Sequence, residues 1–137
     1  MKIYAASKAH VPALSELDKE CFPGWKDRAK TIEQIVNLGY SFVAVSSLYD
    51  ELVGSVLVVD QEFFCPDDRF VDDFECMHIQ TLGVKETYRR KGIARRLLQT
   101  VHERYNHTTI QVKIDNKIAK SLYRDLGYKT ISFTAFS

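Results

Sequence analysis

Leu82-Gly83-Val84-Lys85-Glu86-Thr87-Tyr88-Arg89-Arg90-Lys91-Gly92-Ile93-Ala94 is the stretch that decides the fold. A strand leads into a turn, and the turn opens a helix whose first residues include Gly92 and Ala94. The first N–H groups of a helix have no internal partner and carry about half a positive charge through the macrodipole. Gly92 and Ala94 present almost no side chain, so a phosphate can approach those N–H groups closely. Lys85, Arg89, Arg90, Lys91, Arg95 and Arg96 surround the turn with positive charge, and Glu86 is the only acid nearby. This is how a polyanion such as a diphosphate is held. A nucleoside-triphosphate loop fits poorly, because Gly92 is not followed by the Lys-Ser/Thr pair that contacts phosphate and magnesium.

Outward from that turn, residues 76–84 alternate as a strand. Ile93, Leu97, Leu98, Val101 and Tyr105 give the apolar stripe of a helix of about three turns. Residues 108–114 read as a strand, with Ile110, Val112 and Ile114 on one face and Thr109, Gln111 and Lys113 on the other. Residues 116–126 read as a helix ended by Gly127, and residues 128–136 as a final strand. Toward the N-terminus, residues 2–6 form a short strand. Val11, Leu14, Leu17, Asp18 and Cys21 follow at helical spacing, and Pro23-Gly24 ends that helix. Thr31 is placed to cap a second helix that runs to Asn37 and exits at Gly39. Residues 41–47 and 52–59 are β-branched and apolar runs joined by Leu48-Tyr49-Asp50-Glu51 as a hairpin. Residues 60–75 form an acidic connection. The order β-α-α-β-β-β-α-β-α-β predicts a single α/β domain over residues 1–137, with a mixed central sheet flanked by helices.

The chain has 137 residues, enough for one domain and short of two. Its net charge of +1 argues against a globally basic nucleic-acid binder. Cys21, Cys65 and Cys76 are odd in number and widely spaced, which reads as reduced thiols in a cytoplasmic protein. No metal site is expected from them. No apolar run approaches the roughly 18 residues of a membrane span.

Arg89-Arg90-Lys91-Gly92-Ile93-Ala94 resembles the R/Q-x-x-G-x-G/A motif of the GNAT acyltransferases, in the expected place between strand and helix. A second block, Asn116, Ala119, Leu122-Tyr123 and Leu126-Gly127-Tyr128, resembles that family's N-x-x-A-x-x-LY-x-x-LG-F/Y pattern. The resemblance covers residues 76–128 sharply and is architectural before them. It implies an N-acetyltransferase that uses acetyl-CoA and acetylates a primary amine of a small molecule or peptide in a ternary complex. By the same resemblance, the amides of Arg90, Lys91, Gly92, Ile93 and Ala94 bind the CoA diphosphate, with Arg89 opening the motif. The strand through Leu82 and Val84 pairs with the pantetheine arm, and the Leu82 amide polarises the thioester carbonyl. Asn116 contacts the cofactor near the pantetheine, and Tyr123 protonates the departing thiolate.

The positions where the family places a carboxylate base hold Gln80 and Gln111 here. On the period-2 rule Cys76, His78, Gln80 and Leu82 share one face, which puts His78 roughly 7 Å from Gln80. His78 is therefore the candidate base, directly or through water. Two other readings stay open: a non-catalytic CoA-binding domain, suggested by the two glutamines, and a nucleic-acid-binding module using the basic turn. Trp25 is placed to line the acceptor entrance, and the acidic connection to attract a cationic amine. Only nine residues follow Tyr128 where family members continue into a further strand. The shortened C-terminus exposes an apolar edge at Ile131, Phe133 and Phe136 and favours a homodimer.

Overall fold

The computed structural model describes residues 1–24, 26–64, 76–111 and 117–129. The chain runs through β1 (Lys2–Ala5), α1 (Val11–Cys21), α2 (Ala29–Asn37), β2 (Phe42–Val45) and β3 (Leu52–Val59). It continues through a one-turn α3 (Gln61–Phe64), β4 (Met77–Val84), α4 (Ile93–Arg104), β5 (Thr108–Ile110) and α5 (Lys117–Asp125). The sequence order is reproduced over these residues. The expected final strand, with Ile131, Phe133 and Phe136, lies outside the described residues, as do Trp25, Cys65, Asn116 and residues 65–75.

β3 is apolar on both faces and buried along almost its whole length, so it sits at the centre of the sheet. The five strands order as β1-β2-β3-β4-β5, antiparallel except for the parallel pair β4–β5. One face of the sheet packs Val56, Val58, Met77, Ile79 and Val84 against Ile93, Leu97, Leu98 and Val101 of α4. Leu122, Tyr123 and Leu126 of α5 close over the same cluster. The other face packs Val43, Val45, Leu57 and Val59 against Leu14 of α1 and Ile32, Ile35 and Val36 of α2. The alternation of β2 and β3 therefore fills two cores, one for each pair of helices.

Two local readings change. The α2 helix starts at Ala29, ahead of Thr31, because the Asp27 carboxylate accepts the Ala29 N–H at 3.0 Å. Asp60, taken as part of an acidic loop, accepts the Phe63 N–H at 2.8 Å and starts the single turn of α3.

Asp18 lies on the buried face of α1 and accepts a forked pair of bonds from Arg28, Nε at 3.2 Å and Nη2 at 2.9 Å. The fork ties α1 to the start of α2 across the intervening loop. Asp18→Ala removes the forked pair of bonds from a guanidinium that is only 20% exposed and is expected to cost about 2 kcal/mol. A fall of about 5–10 °C in the thermal midpoint checks it.

Candidate active site

The site is set by where β4 parts from β5. The two strands pair only over Met77–Thr108, His78–Thr109 and Ile79–Ile110. Beyond Ile79, β4 has no partner on its β5 side among the described residues. On its other side, Lys85 N–H donates to Val53 O of β3 at 2.8 Å, and Gly83 and Thr81 stand opposite Ser55 and Leu57. Because successive peptide groups of a strand alternate in direction, the backbone groups of Leu82 and Val84 point the opposite way, into the gap. Arg89 marks that direction: its Nε donates to Val84 O at 2.9 Å.

The gap begins at a β-bulge. Leu57 faces Thr81 and Val58 faces Ile79, so Gln80 is an extra residue without a partner on β3. This corrects the face assigned from period-2 alternation. Met77 and Ile79 pack with Leu82 and Val84 on the α4 side. His78 points the other way and no longer shares a face with Leu82. A bulge shifts the alternation by one residue, and nothing in the local sequence marks where it falls.

His78 is 4% exposed, with Nδ1 at 2.8 Å from Thr109 Oγ1 on β5. Burial lowers its pKa to about 4, so it is neutral at physiological pH. The sign of the linkage is fixed by that depression. Above pH 6.5 both folded and unfolded chains hold the ring neutral. As pH falls from 6.5 toward 4 only the unfolded chain takes the proton, and stability is lost. The expected loss is about 3 kcal/mol, complete near pH 4. His78→Gln is expected to flatten the difference in unfolding free energy between pH 7 and pH 4.5, measured by urea denaturation against wild type.

The turn after β4 runs through a single 3-10 turn (Glu86–Tyr88) into Arg90 at φ +64° and Gly92 at φ +80°. A Cβ on Gly92 would meet nothing within 4 Å, so the glycine is required by its left-handed backbone and not by crowding. Gly92 O accepts Arg96 N–H at 3.0 Å and starts α4, with no side chain capping the helix. The amides of residues 90–95 find no acceptor among the described residues. Two left-handed residues flanking Lys91 curl them into a concave nest at the positive end of a twelve-residue helix.

The basic side chains around this nest are largely committed elsewhere. Arg89 folds back onto β4, its Nη2 also lying 3.9 Å from Cys21 Sγ. Lys91 Nζ sits 5.3 Å over the Tyr88 ring. Lys85 pairs with Glu51, and Arg95 Nη2 lies 3.6 Å from Asp125. Main-chain donors are therefore the main free groups of the nest, with Arg90 and Arg96 exposed beside it. Sequence reading missed the contribution of α1. Gly83 lacks the Cβ that would lie 3.0 Å from Cys21 Sγ, and the Glu20 carboxylate accepts Glu86 N–H at 3.0 Å. The end of α1 thus braces the strand edge and the turn. Only the missing side chain at Gly83 hinted at this approach.

Tyr123 is half-buried on α5, and its hydroxyl makes no hydrogen bond among the described residues. Burial, and secondarily Tyr128, raise its pKa, so it keeps its proton at neutral pH. Gly127 at φ +96° ends α5 in a Schellman turn, with Tyr128 N–H bonded to Tyr123 O and Gly127 N–H to Arg124 O, both at 3.0 Å. That turn seats the Tyr128 ring 6.0 Å from the Tyr123 ring in an edge-to-face contact. Leu82, Ile110 and Tyr123 pack on one core cluster, so strand gap and hydroxyl belong to the same region.

A nest of free amides, an unpaired strand edge and an available hydroxyl fit a ligand with a diphosphate at one end and an extended amide arm at the other. Among the described residues no group of three His, Cys, Asp or Glu side chains gathers to hold a metal ion. Cys21 is a free thiol among the described residues, and no helix there is long and apolar enough to cross a membrane.

Residues 11–128 match the family model described as Acetyltransferase (GNAT) family. No curated protein sequence matches the chain. Among solved structures it is similar to the aminoglycoside acetyltransferase AAC(6')-Iy in complex with the bisubstrate analogue CoA-S-monomethyl-acetylneamine. The identity is 19%, the TM-score 0.78, and the match covers 99% of this chain and 95% of that one. It is also similar to the aminoglycoside 6'-N-acetyltransferase AAC(6')-IG from Acinetobacter haemolyticus, at 16% identity and TM-score 0.77, covering 100% and 97%. Arabidopsis thaliana NAA60 in complex with a bisubstrate analogue matches at 23% identity and TM-score 0.74, covering 96% and 84%. At these identities the likeness is one of fold.

Proposed function

The chain belongs to the Acetyltransferase (GNAT) family, acyltransferases with acetyl-CoA as co-substrate, and we propose that it transfers the acetyl group to a primary amine by direct attack in a ternary complex. The acceptor class is a small-molecule or peptide amine, a reading supported by the shared fold of an aminoglycoside 6'-N-acetyltransferase and of the NatC complex bound to Gag peptide and CoA. The observation that carries the reading is the pairing of two sets of free main-chain donors. One lies on the open edge of β4, at Leu82 and Val84, and the other in the nest at residues 90–95, at the two ends of one hydrogen-bonded turn.

In this reading the amides of Arg90, Lys91, Gly92, Ile93 and Ala94 hold the diphosphate, and the edge of β4 aligns the pantetheine arm as an added strand. Acetyl-CoA supplies an acyl group already activated as a thioester. The Leu82 N–H donates to the thioester carbonyl, where negative charge grows during attack. Val84 O becomes available to the arm once Arg89 releases it, and the freed guanidinium is then at hand for phosphate. The Tyr123 hydroxyl gives its proton to the departing thiolate. Asn116, which the family pattern assigns a contact near the pantetheine, lies outside the described residues.

For the amine's proton, His78 is the side chain that the sequence offers. Its conjugate acid, at about 4, is too strong to retain that proton at neutral pH, and it faces away from Leu82. We therefore assign proton removal to water and leave His78 as a strut between β4 and β5. His78→Asn is expected to keep kcat within about threefold of wild type from pH 6 to 9. A loss of a hundredfold that deepens toward low pH restores the histidine as base.

The test of the function is thiol release from acetyl-CoA against aminoglycosides, polyamines, small primary amines and peptide N-termini. Turnover with one amine class supports the proposal. Tight CoA binding without turnover on any amine favours a non-catalytic CoA-binding domain, the reading suggested by Gln80 at the bulge. No CoA binding sinks both.

A further inference from the structure

Resting on the assignment of Tyr123 as acid, we propose that Tyr128 is the positioning residue for that acid, its hydroxyl fixed to α4 and β5 and its ring setting Tyr123. Three elements meet at one phenol. His102 Nε2, from α4, lies 2.8 Å from Tyr128 Oη. Thr108 Oγ1, from the first residue of β5, lies 2.6 Å from the same oxygen. The ring stands edge-to-face against Tyr123 of α5, and the backbone N–H of Tyr128 bonds Tyr123 O.

The chemistry of the three groups is self-consistent. A phenol has one proton to give and can accept another, so Tyr128 donates to one of His102 and Thr108 and accepts from the other. Both arrangements are open, because burial lowers the His102 pKa and keeps that ring neutral. A phenylalanine here would fill the same core space and hold the ring contact, but it would leave α4 and β5 unconnected at this point.

Placement gives the network a role in the reaction. Thr108 stands opposite Met77, in the first pair of the three-pair ladder whose last pair, Ile79–Ile110, is where β4 and β5 diverge. Tyr123 is carried on the last turns of α5, just before the helix ends. At that end α5 is held to the rest of the fold by the packing of Leu122 and Leu126, by the Arg95–Asp125 pair and by the Tyr128 phenol, and of these the phenol is the one whose ring touches Tyr123. A tether on this paired stretch, from which the open edge of β4 continues, fixes the donor hydroxyl with respect to the strand edge that aligns the thioester. Displacement of a donor by about 1 Å costs up to about a hundredfold in rate, and loss of one tether leaves most of the packing in place.

Tyr128→Phe is expected to lower kcat about 5–20-fold with KM for acetyl-CoA unchanged. Thr108→Val, which removes one bond and leaves the phenol, is expected to show a smaller loss of the same kind. The deciding measurement is a double-mutant cycle with Tyr123→Phe. When Tyr128 acts only through Tyr123, adding Tyr128→Phe to Tyr123→Phe costs less than about twofold further. A full multiplicative loss in that background, or an unchanged kcat in the single variant, overturns the inference and leaves the function standing. If Tyr128→Phe does not fold, the same cycle is run with Thr108→Val under the same criteria. A wild-type kcat for Tyr123→Phe alone sinks the acid assignment itself.

Discussion

Gly92→Val is expected to raise the Kd for CoA about a hundredfold while the domain stays folded. The left-handed backbone at φ +80° costs a β-branched residue at least about 1–2 kcal/mol, so the turn will relax to a negative φ. That relaxation uncurls the nest formed with Arg90 and re-aims several amides at once. Each charge-assisted amide–phosphate bond is worth about 1.5–3 kcal/mol, and losing the geometry of two of them amounts to roughly two orders of magnitude in affinity. The control is Gly92→Asn, because asparagine tolerates the left-handed region, and a loss of about fivefold or less is expected. Calorimetry with CoA on both variants, with thermal denaturation to confirm the fold, decides the matter. Unchanged affinity in the valine variant would remove the nest from the binding site.

Tyr123→Phe is expected to lower kcat by about 10²–10³ with little change in KM for acetyl-CoA. The ring remains, so packing on α5 and the edge-to-face contact with Tyr128 persist. The hydroxyl makes no bond among the described residues, so its removal leaves no partner unsatisfied. What disappears is the proton held for the thiolate, which burial keeps on the phenol at neutral pH. Thiol release at saturating amine, compared with the same measurement on wild type, reads the effect directly. A kcat within twofold of wild type would falsify the acid role.

Much of the fold was legible because it depends on local periodicity. The apolar stripe Ile93, Leu97, Leu98, Val101 predicted α4, and all four residues are buried on one core. The alternating and continuous apolar runs predicted β2, β3 and β4 nearly to their ends. Gly92 and Gly127 predicted a helix start and a helix stop, and both adopt the positive φ that gives glycine its advantage there. The nest proposed to hold an anion was legible for the same reason: it consists of main-chain groups, and Gly92 and Ala94, whose small side chains expose them, lie close together in the chain.

Contacts across the chain were not legible in that way. The bulge at Gln80 reversed the facing of His78, since register depends on how β3 and β4 match over their whole length. The commitment of Lys85 to Glu51 depends on a partner 34 residues away that folding alone brings near. Cys21 and Glu20 lie 60 or more residues before the turn they brace, and no local pattern announces them.

The sequence by itself determined the order of the main elements, the two helix termini and the place of the turn with free main-chain donors, because these follow from side-chain size and period over a few neighbours. Tertiary structure alone decided which face His78 occupies, which cations remain beside the nest, and how Tyr128 joins α4, β5 and Tyr123. Those outcomes are sums of packing and desolvation over residues distant in the chain, and one extra residue in a strand is enough to invert them.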